Sequence, residues 1–118
     1  MSVHIAIKST DVFFAELEKD WMAIDRGDTV PGPVHRVYFA SAEALSKVLT
    51  KQRHQLLRTL HTHDGLSIRA LASVLQRDYK NVYQDVKILE DSGLIERDGK
   101  NHITAPYEKL TIELPLAA

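Results

Sequence analysis

Lys80, Asn81, Tyr83, Gln84 and Lys87 fall within eight consecutive residues. The segment Tyr79–Ser92 that carries them has helical spacing. With Val82 at zero and about 100° per residue, Val86, Leu89 and Gly93 lie within about 40° of Val82 and form the core stripe. Lys80, Gln84, Lys87 and Asp91 then point the opposite way, with Asn81 and Tyr83 on the flanks. The side-chain amides of Asn81 and Gln84 are suited to bidentate hydrogen bonds with adenine, and the lysines to guanine or phosphate. A helix in a DNA major groove reads bases mainly from its N-terminal half, where these residues sit. Asp78, at the helix start, repels phosphate, although as an N-cap its charge is partly absorbed by backbone N–H groups. The alternative is a plain solvated helix face.

The elements around this helix decide between the two. Thr50 reads as the cap of a helix from Lys51 to about His63 with Leu56, Leu57 and Leu60 inward, ended by Asp64-Gly65. Ser67 caps a short helix carrying Ile68, Leu71, Ala72 and Leu75. Gln76-Arg77-Asp78 breaks it before the long helix, and Gly93 is the left-handed residue expected after that helix. Leu94–Arg97 and His102–Ala105 flank Asp98-Gly99-Lys100-Asn101 as a hairpin with Arg97 and Lys100 at its tip. The order from residue 51 is helix, helix, tight turn, helix, hairpin, which is the order of a winged helix-turn-helix. On that order, Lys80, Asn81, Tyr83, Gln84, Lys87, Arg97 and Lys100 are the expected DNA-binding residues.

The rest of the chain reads as an arm. Val3, Ile5 and Ile7 alternate with His4, Ala6 and Lys8 as a half-buried strand. Ser9-Thr10-Asp11 opens a helix whose apolar face is Phe13, Leu17, Trp21 and Ile24, ending near Gly27. Val30–Pro33 is a loop. His35–Ala40 is a second strand, and Ser41 caps a short helix through Leu49. Leu110, Ile112 and Leu114 alternate in a final strand. At least two of the three strands should pair, since their apolar faces have no other home. The Phe13-Phe14 and Trp21-Met22 pairs exceed what one helix face buries, and two readings stay open: a wide core face, or a protein–protein surface. The expected fold class is α+β. The arm occupies residues 1–49, a winged helix-turn-helix residues 50–106, and a strand and tail residues 107–118.

Composition narrows the function classes. The chain has 118 residues, 44% hydrophobic and 26% charged, with a net charge of −1, which fits a globular domain and not a chain that coats nucleic acid indiscriminately. Residues 51–105 hold nine Lys+Arg against seven Asp+Glu, and residues 1–50 hold five against seven. The positive part is therefore the helix–hairpin region. Absence of cysteine excludes disulfides, thiolate metal sites and cysteine nucleophiles, and fits a reducing cytoplasm. No apolar run approaches a membrane span and no signal peptide is expected. His54, His61 and His63 suggest a metal site only weakly, since the chain has no cysteine and no carboxylate sits at helical spacing from His54. No phosphate loop, nucleophile elbow or His-Glu-x-x-His is present, so neither enzyme activity nor a cofactor is expected.

Leu66-Ser67-Ile68-Arg69-Ala70-Leu71-Ala72, Arg77-Asp78-Tyr79-Lys80-Asn81-Val82, Asp85–Glu90 and Gly93-Leu94-Ile95-Glu96-Arg97 form a connected pattern. It resembles the small MarR-like winged-helix DNA-binding regulators of bacteria and archaea, some of which look like antitoxins. The resemblance spans about residues 50–107. It implies DNA contact by Lys80, Asn81 and Gln84, with Arg97 and Lys100 on the wing. The long dimerisation helices of the broad MarR group are missing here, so a dimer must be built differently. The leading expectation is a homodimeric, sequence-specific regulator of double-stranded DNA, most simply a repressor. The alternative is an antitoxin whose arm or tail blocks a toxin protein.

Overall fold

A serine, threonine or aspartate immediately precedes each described helix: Ser9, Ser41, Thr50, Ser67 and Asp78. The computed structural model describes residues 2–27, 35–63 and 65–116. The loop expected at Val30–Pro33, and Asp64, lie outside them. The described residues hold five helices and five strands, an α+β fold, and the chain divides into two compact units: Ser46–Lys109, and Ser2–Leu45 with Leu110–Ala118.

In the second of these units, β1 (Ser2–Ile7) pairs in parallel with β2 (His35–Phe39), Val3 opposite His35 and Ile7 opposite Phe39. Parallel neighbours need a crossover, and α1 (Thr10–Asp25) lies in it. The order β2-β1-β5, with β5 at Lys109–Glu113, makes β1 the central strand. Val3, Ile5 and Ile7 are buried, and so is Ala6. β1 is thus more enclosed than the half-buried strand its alternation predicts, because a central strand has neighbours on both edges. Two other expectations are corrected. On α1 two members of the stripe read as inward are open, Leu17 at 42% and Trp21 at 61% exposed, beside Phe14 at 59%, and the Ile24 side chain lies outside what is described. Phe13, of the same stripe, is half-buried and packs edge-on against Tyr38, with centroids 5.0 Å apart. Ile112 on β5 and Leu114, one residue past its end, are exposed although they alternate correctly, because an edge strand buries a face only where something covers it.

The other unit takes in the end of α2 (Ala42–Val48), whose first turn is capped by Ser41 Oγ, which accepts from Ala44 N at 3.0 Å. It then holds α3 (Lys51–His61), α4 (Ile68–Leu75), α5 (Tyr79–Asp91) and the antiparallel pair β3 (Glu96–Arg97) and β4 (Ile103–Thr104). Thr50 and Ser67 cap α3 and α4 through their hydroxyls, accepting from Arg53 N and Ala70 N. Asp78 holds the N-cap position of α5 but makes no side-chain capping bond, contrary to expectation. Leu56, Leu60, Leu71, Val82, Val86, Leu89, Leu94 and Ile103 are fully buried and form one core, each large side chain contributing roughly 1.5–3 kcal/mol of apolar transfer. Among the described residues, no helix is long and apolar enough to cross a membrane.

Candidate nucleic-acid interface

The turn between α4 and α5 sets the direction of the exposed helix. Gln76 takes the left-handed conformation (φ 55°) and closes α4, its N–H reaching the carbonyls of Ala72 and Ser73. Glycine usually fills such a position, so the sequence marks the break there without showing its geometry. α5 then buries Val82, Val86 and Leu89 and leaves Lys80, Asn81, Tyr83, Gln84 and Lys87 exposed. All five expected residues of the long helix therefore lie on its uncovered side. Lys87 is 3.5 Å from Asp91 one turn on, in an exposed pair.

The hairpin is short and firmly seated. Ile103 is fully buried, and its backbone exchanges bonds of 2.8 and 3.2 Å with Leu66, which extends the pair by one bridge. Asp98 Oδ1 accepts from the N–H groups of Lys100 and His102, at 2.8 and 2.9 Å. Those backbone bonds hold the Asp98 carboxyl below its ordinary pKa. The left-handed residue of the turn is Asn101 (φ 65°), while Gly99 has no such φ. Lys100 is exposed in the turn.

Arg97 is not at the tip. It lies in β3 opposite Ile103, and its guanidinium grips Glu90 of α5 with two bonds, Nε to Oε2 at 2.7 Å and Nη2 to Oε1 at 3.0 Å. It also donates to Asn101 Oδ1. The hydrogen bond from Arg97 lowers the Glu90 pKa, and the same bond raises that of Arg97. Arg97 thus ties the hairpin to α5, and Lys100 is the cation the hairpin offers in its turn.

Two features escaped the sequence reading. Arg69, exposed on α4, stacks over the Tyr79 ring with its guanidinium carbon 4.8 Å from the centroid, and Tyr83 lies 6.2 Å further along. This adds a cation, Arg69, and a second exposed ring, Tyr79, to the expected Tyr83 beside Lys80. Asp85, on the flank of α5, takes Arg53 Nε of α3 on Oδ1 at 3.0 Å and Arg77 Nη2 of the turn on Oδ2 at 2.8 Å. Arg53 also donates to the carbonyls of Lys47 and Val48. The carboxylate therefore joins α3, the turn and α5, and no local spacing reveals a partner 32 residues away.

Two of the three histidines hold backbone carbonyls. His61 Nδ1 donates to the Ala105 carbonyl and His63 Nδ1 to that of Thr59, both at 2.8 Å. Among the described residues no group of three His, Cys, Asp or Glu side chains is placed to hold a metal ion. In the other unit, a cleft of about 580 Å³ is lined by Ile7, Lys8, Val12, Glu16, Glu113 and Leu114, among others. Its lysine is paired with Glu16 and sits 5.1 Å from the Tyr38 ring centre.

The unit Ser46–Lys109 is thus a helical core with one long helix exposed along its polar side and a small antiparallel hairpin seated beside it. The chain belongs to the HVO_A0114 family, whose model matches residues 48–112. That span takes in all of α3, α4, α5 and the hairpin. No curated protein and no solved structure matches the chain.

Proposed function

We propose that residues 50–106 act as a winged helix-turn-helix and that the protein is a sequence-specific, homodimeric regulator of double-stranded DNA, most simply a repressor. One observation carries this reading: α5 has Val82, Val86 and Leu89 fully buried, while Lys80, Asn81, Gln84 and Lys87 lie open on its other side. On this reading the first turns of α5 enter the major groove, with Asn81 and Gln84 reading bases. Lys80, Lys87, Arg69 and Lys100 approach phosphates, and Tyr79 and Tyr83 pack against the backbone. Arg97 serves by holding the hairpin on Glu90. The likeness to MarR-like regulators over about residues 50–107 supports the same reading.

A near-neutral chain has few phosphate contacts per copy, so two copies on a two-fold site supply the affinity. β5 is an edge of its sheet and exposes Ile112, with Leu114 open just past its end, which suits isologous strand pairing. Occluding a promoter makes and breaks no bond, and the reading assigns no catalysis. The test is selection of bound sequences from random duplexes. The expected result is one enriched site of two inverted halves, centred about one helical turn (roughly 34 Å) apart. Failure of any sequence to enrich, with the protein folded, would overturn the reading.

A further inference from the structure

Phe14, Leu17 and Trp21 recur at intervals of three and four along α1, the spacing of a helix-pairing seam. All three are exposed, with Met22 beside them. Five acids and one lysine occupy this helix, and their placement is uneven. Asp11, Glu18 and Asp25 repeat every seven residues and run along one border of the seam; Asp20 lies on the other border, and Lys19 faces away from it. Glu16 is paired with Lys8, whereas Asp11, Glu18 and Asp25 have no cationic partner among the described residues.

Border charges set which helices pair. If a second copy packed antiparallel on this seam, Glu18 would face Glu18 and Asp11 would face Asp25. In a parallel pair Asp20 would face Asp25. Each arrangement brings like charges together at the contact, at both ends and the middle of the antiparallel pair and at one end of the parallel pair. A helix with an apolar stripe and lysine or arginine along its borders meets the same surface with attraction throughout.

We infer that the exposed seam of α1 is a docking site for a basic amphipathic helix of another protein, not for a second copy of this chain. The DNA-facing residues belong to the other compact unit, so this site and the DNA reading can fail independently. Trp21 is the single tryptophan, and its emission reports directly on the seam. The probe is a synthetic helical peptide with leucine at its seam positions and lysine at its borders, with a glutamate-bordered isomer as control. On the full chain, the lysine peptide should shift Trp21 emission to the blue, saturably, and its affinity should fall at least about tenfold from low to high salt. The glutamate peptide should leave emission unchanged. Glu18→Lys combined with Asp25→Lys should reverse the preference. Leu17→Asp should abolish the shift with far-ultraviolet circular dichroism unchanged. The inference is overturned if the charge-reversed variant keeps the original preference, if the peptides act alike or not at all, or if Trp21 of the protein alone shifts with its own concentration.

Discussion

Replacing Asp85 with alanine should destabilise the helical unit by about 2–3 kcal/mol, a figure bracketed by partly exposed and buried ion pairs. The Asp85 side chain is only 13% exposed, and those of Arg53 and Arg77 are 16% and 24% exposed. Breaking a buried pair costs roughly 3–5 kcal/mol, and an exposed pair is worth roughly 0–1 kcal/mol. Three facts place Asp85 between these limits. Both its oxygens are used, at 3.0 and 2.8 Å. Arg53 keeps the carbonyls of Lys47 and Val48 when the carboxylate is gone. Arg77, the more open partner, can turn to water. Asp85→Asn keeps one acceptor oxygen for Arg53 and should cost about half as much, roughly 1–1.5 kcal/mol. The assay is urea unfolding followed by far-ultraviolet circular dichroism, with double-mutant cycles against Arg53→Met and Arg77→Met. The Arg53 coupling should exceed the Arg77 coupling. A cost below about 0.5 kcal/mol for Asp85→Ala would show the site to be as solvated as an ordinary surface pair and refute the account.

The DNA reading separates two substitutions. Gln84→Ala should cost on the order of 1–3 kcal/mol on the selected site and much less on random duplex, whereas Lys100→Ala should weaken both alike and flatten the salt dependence by about one unit; anisotropy titrations at two salt concentrations check both, and parent-like binding by both variants would remove α5 as the reading helix. Gln76→Gly should raise stability by about 0.5–1 kcal/mol, because the residue already sits at φ 55°; an unchanged or lower urea midpoint would refute this. The Glu90–Arg97 pair sets an acid limb. Arg97 lowers the folded-state pKa of Glu90, so the pair's contribution is present above the unfolded carboxylate value, near 4.3, and is lost as pH falls through the folded value. Stability measured from neutral to acid pH should therefore fall less steeply in Glu90→Gln than in the parent.

The order of elements from residue 51 was legible because each boundary has a local cause. Thr50 and Ser67 carry the hydroxyls that cap α3 and α4, and Gly93 supplies the positive φ after α5. The period of Val82, Val86 and Leu89 located the buried stripe of α5, and with it the open side bearing Lys80, Gln84 and Lys87. Backbone conformation was less legible where an unusual residue took the strained position. Gln76 and Asn101 are left-handed without being glycine, and Asp78 has the composition of a cap but makes no capping bond.

By itself the sequence determined what depends on neighbours in the chain: helix limits, periodic faces, the hairpin's place, and the segregation of positive charge toward residues 51–105. Tertiary structure alone decided what depends on distant partners. Whether Phe14, Leu17 and Trp21 would be buried could not be read from their spacing, because the same period serves a core and a docking seam. Arg97 was expected at the hairpin tip and is held instead by Glu90, since the strand pairing Arg97 with Ile103 sets where its guanidinium reaches. Asp85 read as one more polar residue on a helix flank. It became the joint of three elements only because folding brings Arg53 to its carboxylate from 32 residues away.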